Sequence, residues 1–320
     1  MNRRRFVAGI VGLSLARSAN AQPQMRRVAV VSVADVARPP LASLIQGLRE
    51  LGYEAGRNLE IIPATHASYA RLGEMAANAV KRDPEAIVTW GSTATRAAKA
   101  ATWSIPIVMV VGIDPIEHGF VRTYARPDGN ITGIAMSSHL LSVKRVELLK
   151  EVLPAVRRFG VLWSAESASQ PITIKHIEAA AGRLGLNMHA VEVSDPRALK
   201  GAFAKFAEAG VEALLPISSA MLTRESAEIV RLAASHRIPT VYAGAAPVRS
   251  GGLISYGPDI SAQFRHAAAF VDRILKGAKP AEMPIEQPTK FEMIVNLKTA
   301  KALGIEIPKS VLFRADEVIQ

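Results

Sequence analysis

The chain contains no cysteine. That excludes disulfides, thiolate metal sites and a cysteine nucleophile. A chain of 320 residues buries core enough to fold without a covalent staple. No apolar run reaches the ~18 residues that a membrane span needs. Walker, Gly-x-Gly-x-x-Gly and Gly-x-Ser-x-Gly patterns are missing, so phosphate, dinucleotide and serine-hydrolase signatures are absent. The histidines, His66, His118, His139, His176, His189, His236 and His266, show no metal-ligand spacing. No low-complexity segment occurs. Basic residues are scattered rather than clustered. The net charge of +11 falls to +7 once the four arginines of residues 1–21 are removed. This reads as a solvated surface, not as a nucleic-acid footprint.

The N-terminus is the first positive signal. Arg3-Arg4-Arg5 precedes an apolar stretch from Phe6 to Ala16, and Ala19-Asn20-Ala21 is a small-x-small site. This pattern predicts a secretory signal peptide over residues 1–21, cleaved after Ala21. The arginines directly before Phe6-Val7 also suit a twin-arginine signal. With no cysteine at the cleavage site, the mature protein is expected to be soluble in the periplasm.

The stretch from Glu85 to Pro115 organises the rest. Two short runs, Ala86–Trp90 and Ile107–Ile113, are apolar at nearly every position. Between them lie Gly91-Ser92-Thr93-Ala94-Thr95 and an Ala-rich helical segment. This is a β-α-β unit whose strands are buried on both faces of a parallel sheet. The unit recurs. Glu212-Ala213 to Ile217, Ser218-Ser219, a helical run over 221–236 and Ile238-Pro239 to Ala243 repeat its order. Arg26-Arg27-Val28 parallels Arg157-Arg158-Phe159, and Leu51-Gly52 parallels Leu184-Gly185. Two similar α/β lobes follow. The first is expected over residues 26–136 and the second over 137–289. The tail of about 290–320 is expected to return to the first lobe. A short helix is expected at Gly119–Arg122.

In open α/β sheets ligands bind outside the carboxyl ends of the strands. The residues there are Ser32 and Asp35 after the first strand, Ser92 and Thr93 in the Gly91 loop, Asp114, Ser137, Ser164, Ser218 and Tyr242. A helix starting at Ser92 offers free N–H groups to a carboxylate, and its hydroxyls add neutral donors. Asp114 could meet an ammonium group or cap the turn begun by Pro115. Tyr242 could stack on a ligand or pack in the core. No catalytic set emerges, and no metal or cofactor is implied.

Several segments resemble the type I periplasmic solute-binding proteins of ABC transporters. More narrowly, they resemble the substrate-binding family that includes tryptophan- and other aromatic amino-acid-binding members. They are Gly47–Tyr53, Ile105–Pro115, Arg126-Pro-Asp-Gly-Asn-Ile-Thr-Gly133, Gly252–Asp259, Ile274–Pro280 and Pro288–Glu292. The resemblance implies two Rossmann-like lobes joined by crossing strands, with one small ligand in the cleft. It further implies delivery of an amino-acid-like or small carboxylate ligand to a membrane permease and its ATPase, by a protein that need only be a monomer. A ligand-sensing domain for a membrane receptor would share the fold. A repressor of the same fold needs an N-terminal helix-turn-helix, for which the first strand leaves no room after residue 21. Relatives often carry Ser-Asp where this chain has Ser218-Ser219, which leaves the site of a ligand amine open.

Overall fold

The computed structural model describes residues 25–33, 38–66, 68–112, 114–136, 138–164, 166 and 170–320. The expected signal peptide, Asp35 and Ser137 lie outside the described residues.

The first lobe is built from β1 (Arg26–Val33), α1 (Arg38–Glu50), β2 (Leu59–His66), a 3-10 turn (Tyr69–Arg71), α2 (Leu72–Val80), β3 (Ala86–Trp90), α3 (Ser92–Ala101), β4 (Ile107–Gly112) and β5 (Ile131–Ala135). The strands are all parallel, in the order β2-β1-β3-β4-β5. Strand side chains alternate between faces. Ala29, Val31, Ile87 and Met109 pack under α2 and α3 through Leu72, Ala76, Ala94 and Ala98. Val28, Val30, Val88 and Val108 meet Leu44 and Leu48 of α1 on the other face. Burial on both sides is why these strands read as continuous apolar runs.

The second lobe contains α4 (Ser138–Val152), β6 (Arg158–Trp163), α5 (Gln170–Arg183), β7 (Asn187–Glu192), α6 (Leu199–Glu208), β8 (Ala213–Pro216), α7 (Ala220–Arg224), α8 (Ser226–Ser235), β9 (Val241–Tyr242), α9 (Ala245–Arg249) and β10 (Ile254–Pro258). Then follow α10 (Ile260–Leu275), β11 (Phe291–Asn296), α11 (Leu297–Leu303), α12 (Lys309–Arg314) and β12 (Glu317–Ile319). The strands pair as β7-β6-β8 and β9-β10-β11-β12, and a bridge between Leu214 and Thr240 links the two groups. Among the described strands only β11 runs antiparallel to its neighbour β10.

The internal repeat is structural. Val28 pairs with Ala86, and Phe159 pairs with Ala213, at the same place in each parallel ladder. Glu85 accepts from the backbone N–H of Arg27 at 3.3 Å. Glu212 accepts from the N–H groups of Arg157 and Arg158 at 2.7 and 2.8 Å. Pro106 O accepts from Ile87 N, and Pro239 O accepts from Leu214 N, both at 2.8 Å. Each lobe thus ties its first and third strands by a glutamate and registers the next connection by an Ile-Pro carbonyl.

Four expectations are corrected. The C-terminal segment does not rejoin the first lobe. Met293 and Val295 of β11 enter one face of the second-lobe core while Ile294 enters the other, so this strand needs a place inside the second sheet. Conversely, α10 belongs to the first lobe. Phe264, Ala267, Ala268 and Val271 pack on Val28, Val88 and Val110. Gly47 of α1 permits that packing, since a Cβ there would sit 2.6 Å from the carbonyl oxygen of Arg265. The chain therefore crosses between lobes before α4, after β10 and before β11. At the last crossing, Glu286 exchanges backbone hydrogen bonds with Gly133 and Ala135. Finally, Gly119–Arg122 is a turn rather than a helix, and the 221–236 run breaks into α7 and α8 at Glu225.

Candidate functional site

The first sheet turns back on itself between β1 and β3, because β2 lies on one side of β1 and β3 on the other. Such a switch point opens a crevice at the strands' carboxyl ends. Val31 pairs with Thr89, so Ser32 stands level with Trp90 and the start of the Gly91 turn. Gly91 has φ 82° and ψ 164° and supplies no side-chain cap to α3. Few L side chains adopt that backbone. Thr95 locks the turn, with its hydroxyl 3.0 Å from Gly91 O and 2.8 Å from the Thr89 hydroxyl. The first amides of α3 are thereby held at the end of β3, together with Ser92 and Thr93. Ser32 is fully buried, yet its hydroxyl has no hydrogen-bond partner among the described residues, and neither has that of Thr93. Trp90 packs edge-on against Phe264 of α10, with ring centroids 5.5 Å apart.

The second sheet has the same reversal between β6 and β8. Ser164 follows β6, and Ser218 and Ser219 follow β8. Gln170, at the start of α5, spans this switch point. Its Oε1 accepts from Ser164 N at 2.6 Å, and its Nε2 donates to Ser218 O at 3.1 Å. Ser219 caps α7 by accepting from Leu222 N at 3.1 Å. The Ser164 hydroxyl is buried and has no partner among the described residues. Ser218 itself is exposed.

Two further residues stand near the junction of the lobes, and the first of them bonds across it. Tyr69 of the first lobe accepts from Ala220 N, at the start of α7, at 3.0 Å, and burial pushes its phenol pKa upward. Arg145 of α4 is 6% exposed, which matters because it is a cation. Its Nε donates to Tyr256 O at 2.7 Å and its Nη1 to the Ser142 hydroxyl at 3.3 Å. No carboxylate among the described residues pairs with it. Burial pulls its pKa down to about 10, so it keeps its charge at neutral pH. A buried charge without a counter-ion is costly. Its position is next to the crossing that follows β10. Neither residue carries a motif; Arg145 follows the mid-helix spacing of any surface arginine, and only its burial singles it out.

The remaining expected site residues divide. Asp114 is half-buried, and its Oδ1 accepts from Ile116 N at 2.9 Å and Glu117 N at 3.3 Å, so it caps the Pro115 turn. Tyr242 is buried in the second-lobe core with Val230 and Val248. It borders a recess of about 360 Å³ lined by Ala233, Arg237, Leu253 and Leu303, all of the second lobe.

Comparison with known proteins agrees with this architecture. The chain is 22% identical to a tyrosine-binding protein of Clostridioides difficile over 318 residues, covering 94% of this chain and 91% of the relative. It superposes with a TM-score of 0.86 and 25% identity on a conserved domain protein of Vibrio cholerae, over 92% of this chain and all of the other. The TM-score is 0.84, at 24% identity, for an ABC domain from Streptococcus pneumoniae in complex with L-Trp, again over 92% of this chain and all of the other. The ABC transporter substrate binding protein family matches residues 29–319, and the chain belongs to that family.

Proposed function

We propose that the mature protein is a periplasmic receptor that captures a small carboxylate, of the aromatic amino-acid class, between its lobes and hands it to an ABC permease. The observation that carries this reading is a set of buried hydroxyls, Ser32, Thr93 and Ser164, without partners among the described residues at the switch points of both sheets. Each buried hydroxyl left unpaired costs about 1–3 kcal/mol. A ligand that accepts from them recovers that cost. The amides at the start of α3 suit a carboxylate, and Arg145 supplies a buried cation with no carboxylate paired to it among the described residues. The tyrosine-binding relative and the L-Trp complex support the ligand class. The basic, apolar, small-x-small N-terminus supports export.

The test is calorimetric titration of residues 22–320, stripped of bound ligand, with tyrosine, tryptophan, phenylalanine, leucine and a sugar panel. Saturable binding of an aromatic amino acid is expected, with an upward shift in Tm. Ligand at 100 times its Kd adds about 2.7 kcal/mol. Binding of sugars alone, or of nothing in folded protein, would overturn the assignment.

A further inference from the structure

Outside the two switch points, three side chains converge from distant parts of the chain. Glu117 lies in the turn after β4 of the first lobe. His139 opens α4, and His176 is on α5. One ligand atom from each lies within 4.8 Å of the other two. The two imidazoles stack with centroids 4.4 Å apart and planes inclined by 28°. His139 is 8% exposed, and its Nδ1 is buried with no partner among the described residues. Glu117 is exposed and His176 half-buried, so an ion has access.

We propose that Glu117, His139 and His176 form a binding site for a divalent transition-metal ion of the zinc type, bracing the first-lobe turn against α4 and α5. Two imidazoles and one carboxylate make a recognised zinc donor set, and three protein ligands leave one position for water. Zinc–nitrogen bonds of about 2.0–2.1 Å place tetrahedral donors about 3.3 Å apart. The three atoms therefore close by at most about 1.5 Å on binding, a movement within rotamer adjustment. Burial, followed by the nearby His176, pulls the His139 pKa down. That favours the neutral imidazole, which is the form that ligates. The neighbouring His118 turns away, with its Nδ1 3.0 Å from Arg96 Nη2.

The experiment uses tag-free residues 22–320, dialysed against chelator. Zinc is titrated by calorimetry and cobalt by visible absorption. One equivalent is expected, with micromolar or tighter affinity and cobalt d–d bands of tetrahedral intensity. His139→Ala and His176→Ala should each weaken binding at least tenfold, as should Glu117→Gln, an exposed turn substitution that leaves the core intact. His189→Ala should change nothing. A Tm rise with zinc should appear in the parent and vanish in His176→Ala. Absence of saturable binding overturns the proposal. So does affinity unchanged in Glu117→Gln and His176→Ala, since the metal would then sit elsewhere.

Discussion

The two switch points are built from the same sequence pattern and finished differently. In the second lobe, Gln170 occupies the crevice and satisfies Ser164 N and Ser218 O, while Ser219 is committed to capping α7. In the first, Gly91 opens α3 without a side-chain cap. The hydroxyls of Ser32 and Thr93 are left without partners among the described residues. A duplicated fold has thus been divided into a prearranged half and an open half. The paired groups of the prearranged half contribute to stability, although the Ser164 hydroxyl there has no partner among the described residues. The hydroxyls of the open half detract from stability until something binds. The lesson is that equivalence of backbone does not carry over to equivalence of hydrogen bonding.

The comparison can be broken experimentally. The largest effect is expected at Arg145, which stands at the crossing between the halves. Arg145→Met should weaken carboxylate binding by on the order of a hundredfold, since removing one member of a buried charge pair costs about 2–5 kcal/mol. Ligand-free stability in urea should hold or rise, because a buried unpaired charge is removed. Unchanged affinity would separate the guanidinium from the ligand. Next is Gln170→Ala. Ser164 N would lose its acceptor, and the urea midpoint should fall by an amount worth about 1–3 kcal/mol. In the open half, Thr93→Val should leave ligand-free stability equal or higher and weaken binding about tenfold, the ~1.4 kcal/mol of a modest hydrogen bond. If Gln170→Ala and Thr93→Val destabilised the free protein equally, the division into two halves would fail.

The smallest effect concerns acid. The Glu212 carboxyl is held below its ordinary pKa, chiefly by the N–H groups of Arg157 and Arg158. A carboxyl whose folded pKa is depressed stabilises the fold above its unfolded pKa and loses that contribution as pH falls through the folded value. Glu212→Gln should therefore slightly flatten the decline in Tm below about pH 4.3. An unaltered pH profile would show that the exposed glutamate adds nothing measurable.

Much of the fold was legible. The apolar runs marked the strands because both of their faces are covered, and the paired Glu-Ala and Ile-Pro landmarks fell on matching ladder positions. The place of the C-terminal tail is not legible, because one apolar strand suits either lobe and only the facing residues of β10 decide. The same holds for α10, whose amphipathic pattern says that a face is buried and not against which sheet. Of the site, Ser32, Thr93 and Ser164 were visible as polar residues at strand ends. Arg145 was hidden because burial, not residue type, makes it unusual. His139 and His176 showed no ligand spacing, since 37 positions separate residues that α4 and α5 bring into contact.

The sequence by itself determined the two α/β lobes, their strands and the small polar residues at the strand ends, because periodicity and turn chemistry are local. Only the tertiary structure decided which lobe owns α10 and β11, which switch point is filled and which histidines meet. Those outcomes depend on contacts between residues far apart in the chain, whose partners no local pattern specifies.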